Sequence, residues 1–430
     1  MRYAAQWRAA LPDAVSHMID GSIVVRIAAK GDGVTEDGRH VALAAPGDMV
    51  SVEGAVSPGP HHAAPSCRHY PQCGGCQLQH LDEAALSDFV ADRVIGAVHG
   101  QHLGPPQIIA PPHLSPPASR RRATLHAQAI GSRVVLGFRE AGTHHIIDMR
   151  ECAVLAPPLV ALVKPLRALL TQFATRTMAV DVELTLADQG VAVGIKGLKV
   201  EGPKMSGLAA IESLGDFARA HGLAQLTIDS GYGPETQWEP EPVTVTVGGV
   251  PVALPPGAFL QATADAEAAL TGAACTWLEG APMIADLFSG LGTFAFALVK
   301  AGAAGRPNAR KVLAVEADRA AHLAGQAAAR SQGLQVHSLH RDLFRNPLRP
   351  EELNRFDAVV LDPPRAGARE QVALIAESTV ARVVYVSCNP SSWARDAARL
   401  IEGGYRLAEL RPVGQFRWST HVELASLFVR

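Results

Sequence analysis

The chain has no run approaching the roughly 18 consecutive apolar residues of a membrane-spanning helix, so none is expected. Its opening stretch, MRYAAQWRAALPDAVSHMID, lacks the apolar block and cleavage signature of a secretory leader. A cytoplasmic, reducing location is therefore expected. An excess of one charge is also missing. There are 39 basic and 41 acidic residues, for a net charge of −2, a balance that neither requires nor excludes nucleic acid. Only one tight basic knot occurs, SRRRAT, holding Arg120, Arg121 and Arg122. Charged residues make up 19% and hydrophobic residues 48% of 430 positions. That composition excludes wholesale disorder and suits two or three packed domains. No internal repeat is present. Cysteine is scarce, with six in all. In a reducing compartment, clustered cysteines point to metal ligands or catalysis rather than to disulfides.

Along the chain, GSIVVRI, GRHVALAA and DMVSVEGAV read as short strands separated by KGDG, EDG and APGD turns. This predicts a small β-barrel of the OB-like kind, either a cap or a nucleic-acid-binding module. A proline-rich linker, SPGPHHAAPS, follows. Residues 82–98 read as an amphipathic helix capped by Asp82, with Leu86, Phe89, Val90, Val94 and Val98 on one face. GPPQIIAPPHLSPP then breaks regular structure. Residues 119–152 and 180–260 alternate with period two and predict an antiparallel β domain, interrupted by a helical stretch near 157–178. From about 261, strands alternate with helices. That pattern predicts a mostly parallel, doubly wound α/β sheet.

Chemistry concentrates in this last part. MIADLFSGLGTF is an apolar strand, then a turn with Gly290 and Gly292 that lets backbone approach a ligand, then a helix. The next strand ends at Glu316, placed to grip ribose hydroxyls. Asp342 in RDLF could accept from an adenine amine. The turn G-L-G-T-F is not the dinucleotide fingerprint, and Asp286 beside it suits a cationic ligand better than a pyrophosphate. S-adenosylmethionine, a sulfonium nucleoside, fits. VVLDPPR adds Asp362. An amine-methylating enzyme would carry an aromatic residue where Arg365 stands.

Cys388 in VVYVSCNP ends a strand beyond the one carrying Asp362, so both should face one crevice. A small buried residue and a nucleophile are the competing readings. A thiol beside a methyl donor suits one reaction well. Addition at C6 of uracil makes C5 nucleophilic, and a base such as Glu423 then removes the C5 proton. Asp362 would hold the pyrimidine edge or the donor's amino group. The target uridine must be unpaired or flipped out.

Cys67, Cys73 and Cys76, spaced C-x5-C-x2-C, with Cys152 form a possible four-sulfur site. On spacing alone, zinc and an iron–sulfur cluster are equally suited. Cys275 reads as core. The arginine knot reads as a solvated strand face or a set of phosphate contacts.

The motifs GAFLQAT, DLFSGLGTFAFAL, VLAVEAD, RDLF, VVLDPPR, YVSCNP and HVEL, in this order, resemble the RNA 5-methyluridine methyltransferase family. The resemblance implies a C-terminal Rossmann-like class I methyltransferase domain over 261–430. It implies a central iron–sulfur β domain over 58–260, whose 82–98 helix could pack on the catalytic part, and a TRAM-type RNA-binding barrel over 1–57. It implies Cys388 as nucleophile and Glu423 as proton-abstracting base. Cofactor contacts would come from Gln261, Phe288, Thr293, Glu316, Asp342 and Asp362. Thr293 stands where many members carry Asn. The four cysteines would hold a [4Fe-4S] cluster, which points to the branch acting on 23S rRNA. The alternatives are the same chemistry on tRNA, or an inactive iron–sulfur RNA-binding protein. A monomer is expected.

Overall fold

The computed structural model describes residues 21–131, 133–200, 207–302 and 310–430. The reading of the first twenty residues lies outside them.

Three larger sheets and one two-stranded hairpin organise the described residues. The first is antiparallel, with Gly21–Ile27 at its centre between Gly33–Thr35 and Met49–Ser51. His40–Val41 and Val56–Ser57 form its edges, and its hydrogen-bond ladder does not close edge to edge among the described residues. Gly21–Ile27 is the first expected strand, His40–Val41 falls within the second, DMVSVEGAV is divided between Met49–Ser51 and the start of Val56–Ser57, and Gly33–Thr35 is an additional strand.

The second sheet has six strands in the order Pro234–Trp238, Gln225–Asp229, Gly190–Lys196, Ala179–Ala187, Arg122–Ile130, Arg133–Gly137. It is not wholly antiparallel as expected. Gly190–Lys196 and Gln225–Asp229 run parallel. A parallel pair needs a crossover, commonly a helix, and Gly207–Ala220 supplies it. Ala210, Leu214, Phe217 and Ala218 form that helix's buried stripe.

The third sheet carries the candidate site. Its order is Val336–His340, Lys311–Glu316, Met283–Leu287, Ala358–Leu361, Arg382–Ser387, Glu423–Val429, Arg406–Gly414. The first five strands are parallel, and the last two are antiparallel. The central strands AVVL and RVVYVS are almost wholly buried, as strands covered on both faces must be. Strand order reverses between Met283–Leu287 and Ala358–Leu361. A crevice opens at such a point, beyond the carboxyl ends of the strands.

The proline-rich segment expected to be irregular extends this sheet. Ile108–Ile109 and His113–Leu114 each pair in parallel with Arg406–Gly414. The helix Glu83–Gly100 is capped by Asp82, whose side chain accepts from Ala85 N–H, and it buries the five apolar residues the spacing picks out. It packs on Arg406–Gly414 and on the helix Pro390–Glu402, sharing their apolar cluster. The hairpin Thr244–Val247/Val250–Ala253 packs on the helices Thr293–Ala301 and Arg319–Ser331. Cys275 lies on the helix Ala264–Trp277, against its core cluster. No helix among the described residues is long and apolar enough to cross a membrane.

At Arg121 the arginine knot is neither a solvated face nor a phosphate surface. Arg121 is buried, pairs with Glu267 and donates from Nε to Gln261 O at 3.0 Å. Losing either charge would leave the other uncompensated, at a cost of about 3–5 kcal/mol. Arg122 lies over the Phe259 ring, and Arg120 lies over both Phe138 and Phe416. These arginines fasten the central sheet to the catalytic sheet.

Candidate active site and cysteine recess

Met283–Leu287 ends in a turn that only a few residue types tolerate. Phe288, Gly290 and Gly292 all have positive φ, at 62°, 55° and 97°. The two glycines take this conformation without steric cost, whereas Phe288 does not. Glu316 closes the turn: its Oε2 accepts from Gly290 N–H at 2.7 Å, and its Oε1 accepts from Ala317 and Asp318 N–H. Ser289, Gly290, Gly292, Glu316 and His322 help line a recess of about 230 Å³. Thr293 begins the following helix. Asp342 accepts from Phe344 N–H at 2.9 Å and caps its own loop. Phe344, which the sequence did not single out, tilts against Phe288 with ring centroids 5.4 Å apart.

Asp286 behaves differently from its sequence reading. It is fully buried, and its Oδ2 accepts from Ala295 N–H, pinning the helix start. Burial, then the nearby Glu316, pushes its carboxyl up to about 8. Burial thus favours its neutral form.

Cys388 follows Arg382–Ser387 and stands half-buried before the helix Pro390–Glu402. Asn389 caps that helix, accepting from Ser391 N–H, with Pro390 at its first position. The helix also holds the Asp362–Ala368 loop. Asn389 Nδ2 and Ser392 Oγ donate to Arg365 O at 3.1 and 3.0 Å, and Arg395 Nη2 donates to Ala366 O at 2.9 Å. Asp396 Oδ2 accepts from Ala368 N–H and Tyr385 OH. One helix thus sets the placement of Asp362 relative to the thiol.

Three acids share this pocket. Burial, then the Glu423 and Asp362 carboxylates, push the Cys388 thiol up to about 11. Burial pushes Glu423 up to about 7. Asp362 is raised well above the carboxylate range by burial, then by Glu423 and Asp286. Gln261 Nε2 donates to Asp362 Oδ2 at 2.9 Å, and its Oε1 accepts from Gln415 Nε2 at 3.0 Å. Gln415, which no motif marked, also accepts from Ala262 N–H and hydrogen-bonds Glu423. The structure therefore brings Gln261, Asp362, Cys388 and Glu423 together. Phe288, Thr293, Glu316 and Asp342 lie around the adjacent glycine-rich turn and its neighbouring strand ends.

The four clustered cysteines converge. Cys67, Cys73, Cys76 and Cys152 line one recess of about 450 Å³, with Tyr70, Arg120 and Phe138 among its walls. No group of three or more His, Cys, Asp or Glu among the described residues is arranged to hold a metal ion. The thiols nevertheless face each other closely enough to interact. Burial, a Gln79 hydrogen bond and repulsion from the other three set Cys76, pushed up to about 12.

A sheet of this order, with a glycine-rich turn and strand-end acids at the carboxyl ends of its strands, is that of a class I methyltransferase. A solved structure shares the fold: a Pyrococcus abyssi tRNA (uracil-54, C5)-methyltransferase in complex with S-adenosyl-L-homocysteine. It is 22% identical, with a TM-score of 0.70, covering 95% of this chain and all of that one. The tRNA (Uracil-5-)-methyltransferase family profile matches residues 254–430. An uncharacterized RNA methyltransferase of Zymomonas mobilis is 45% identical over 407 residues, 95% of this chain and 99% of the relative. A 23S rRNA (uracil(1939)-C(5))-methyltransferase of Edwardsiella ictaluri is 33% identical, over 92% of this chain and 87% of its own. The chain belongs to the RNA uracil-5-methyltransferase family and is an S-adenosylmethionine-dependent enzyme.

Proposed function

We propose that this enzyme methylates C5 of one uridine in 23S rRNA through a covalent bond between Cys388 and C6. The observation that carries this reading is the thiol at the strand end with two buried carboxyls, Asp362 and Glu423, acting on it.

The Cys388 thiol loses its proton to solvent and the resulting thiolate bonds to C6, turning C5 into an enolate-like carbon. Bound S-adenosylmethionine supplies the methyl group that C5 takes up. The Glu423 carboxylate then accepts the C5 proton, the C6–sulfur bond breaks, and Cys388 leaves as thiolate. Asp362, fixed by Gln261, holds the pyrimidine edge or the cofactor's amino group. Phe288, Thr293, Glu316 and Asp342 hold the nucleoside part of the cofactor. The positive-φ turn at Gly290 and Gly292 fits that ligand, since a backbone without Cβ atoms can approach it closely.

The cysteine recess fits a [4Fe-4S] cluster. Four thiols lining one recess are a donor set that a [4Fe-4S] cluster takes, and the resemblance to the 5-methyluridine methyltransferase family favours it over zinc. Its role is structural, since the reaction above transfers no electrons. The 23S target is supported by the Edwardsiella relative, and the tRNA alternative by the family profile's description. Residues 1–57 serve as the RNA-binding module, 58–260 as the iron–sulfur domain and 261–430 as the catalytic domain, with 83–114 and 244–253 packed onto the last. The enzyme works as a cytoplasmic monomer. Mass-spectrometric mapping of 5-methyluridine in ribosomal and transfer RNA from a deletion strain tests the assignment. Loss from 23S rRNA supports it, and loss from tRNA alone overturns it.

A further inference from the structure

The loop that leads into the Glu423 strand is held from outside by the segment that carries three of the clustered cysteines. Gln77 N–H and Leu78 N–H both donate to Trp418 O, at 2.7 and 2.9 Å. Gln77 Oε1 accepts from Thr420 N–H at 3.3 Å, while Nε2 of the same side chain donates to Gly74 O at 2.8 Å. Tyr70 OH donates to Gln77 O at 3.0 Å, so the backbone of Gln77 is itself fixed from within the cysteine segment.

The loop needs this support. Trp418 sits at φ 60°, a conformation unfavourable for a bulky side chain. Strained backbone of this kind persists only where its surroundings over-determine it, and the two N–H groups on the Trp418 carbonyl do so. From Trp418 the chain runs directly into Glu423. At the loop's other end Gln415 hydrogen-bonds the same carboxyl. A base working in general acid–base catalysis must lie within hydrogen-bond reach of the proton it takes.

We infer that Gln77 is a positioning residue for Glu423, tying the cysteine segment to the catalytic loop so that the base meets the C5 proton. The inference rests on the reading of Glu423 as base. It separates the steps of the reaction. Adduct formation and methyl transfer depend on Cys388, Asp362 and the cofactor turn, none of which Gln77 touches. Proton removal and release depend on the loop Gln77 holds. Loss of the Gln77 side chain removes the acceptor for Thr420 N–H and leaves the loop held by backbone donors alone, which slows the second half of the reaction and leaves the first half alone. A general loss of stability would slow both halves.

The test uses the full-length protein with its iron content measured, labelled S-adenosylmethionine, and undermethylated ribosomal and transfer RNA from a deletion strain. Covalent protein–RNA species are resolved on denaturing gels. For Gln77→Ala, labelled adduct is expected to form at the wild-type rate and then accumulate, with release slowed about tenfold, a part of the roughly 10²–10⁴-fold a general base contributes. Gln77→Glu keeps an acceptor for Thr420 N–H and is expected to restore most of the release rate. Amide exchange over 416–423 is expected to rise in Gln77→Ala, while the helix Glu83–Gly100 keeps its protection. Release at the wild-type rate in Gln77→Ala, or equal slowing of formation and release in both variants, overturns the inference alone. Absence of any adduct in the wild type, including with 5-fluorouridine RNA, overturns the functional reading and the inference with it.

Discussion

Gln261 donates from Nε2 to Asp362 Oδ2 at 2.9 Å, across 101 positions of chain. The same amide accepts from Gln415, which in turn bonds Glu423. A chain of side-chain hydrogen bonds thus runs between the two carboxyls flanking Cys388. Replacing Gln261 by Leu strands two buried polar partners, at about 1–3 kcal/mol. The account expects a lower kcat, compared with wild type at saturating cofactor and RNA. A wild-type kcat in Gln261→Leu would show that the linkage is catalytically idle.

Glu423 ties activity and stability to pH in opposite directions. Its folded carboxyl is raised to about 7 from the ordinary 4.5. The folded state therefore binds this proton more tightly than the unfolded chain does. Stability is fully present below pH 4.5 and is lost as pH rises through 7. Glu423→Gln removes that loss and should raise the melting temperature at pH 8, by an amount equivalent to on the order of 3 kcal/mol. The gap to wild type should close toward pH 4.5. The same variant should leave the C5 proton in place and accumulate covalent RNA adduct. Turnover of the wild type should fall as pH drops below 7, because the base must be ionised.

Cys388 is expected to be a sluggish nucleophile in the protein without ligands. Burial and two carboxyls hold the thiol near 11, so little thiolate exists at pH 7. Alkylation by iodoacetamide, followed on the Cys388 peptide by mass spectrometry, should climb steadily between pH 7 and 10. A plateau reached by pH 8 would contradict the electrostatics of the pocket.

Gly367 is a steric checkpoint. It has φ 85°, and a Cβ there would stand 2.5 Å from Asp396 Oδ2 and 2.6 Å from Arg395 Nη2. Gly367→Ala should displace the Asp362–Ala368 loop from the Pro390–Glu402 helix, at a cost of about 1–3 kcal/mol. Thermal denaturation should show the loss, and adduct formation should slow with it.

Much of the catalytic sheet was legible because its signals are local. Turn glycines, strand-end acids and the Ser-Cys-Asn-Pro stretch each announce themselves within a few residues. The helix Gly207–Ala220 was equally legible in its Ala210, Leu214, Phe217, Ala218 spacing, but the strand alternation around it masked the period. Other features depend on distant partners. Gln415 and Gln77 carry no motif, and their roles arise from neighbours more than a hundred positions away. The burial of Arg121 was hidden because its neutraliser, Glu267, lies 146 positions downstream. Ile108–Ile109 becomes a strand only because the edge of Arg406–Gly414 is there to pair with it.

Cysteine chemistry offers an independent check. Cys76→Ser should lower iron content and abolish the visible absorbance of the purified protein. It should also raise amide exchange across the Cys67–Leu81 segment. Full iron retention would remove Cys76 from the ligand set.

The most direct measurement is a denaturing gel of the enzyme incubated with S-adenosylmethionine and 5-fluorouridine-substituted RNA. Fluorine at C5 leaves Glu423 no proton to remove, so the wild type should form a stable protein–RNA band and Cys388→Ala none. No band with the wild-type enzyme, or an undiminished band with Cys388→Ala, would contradict the account.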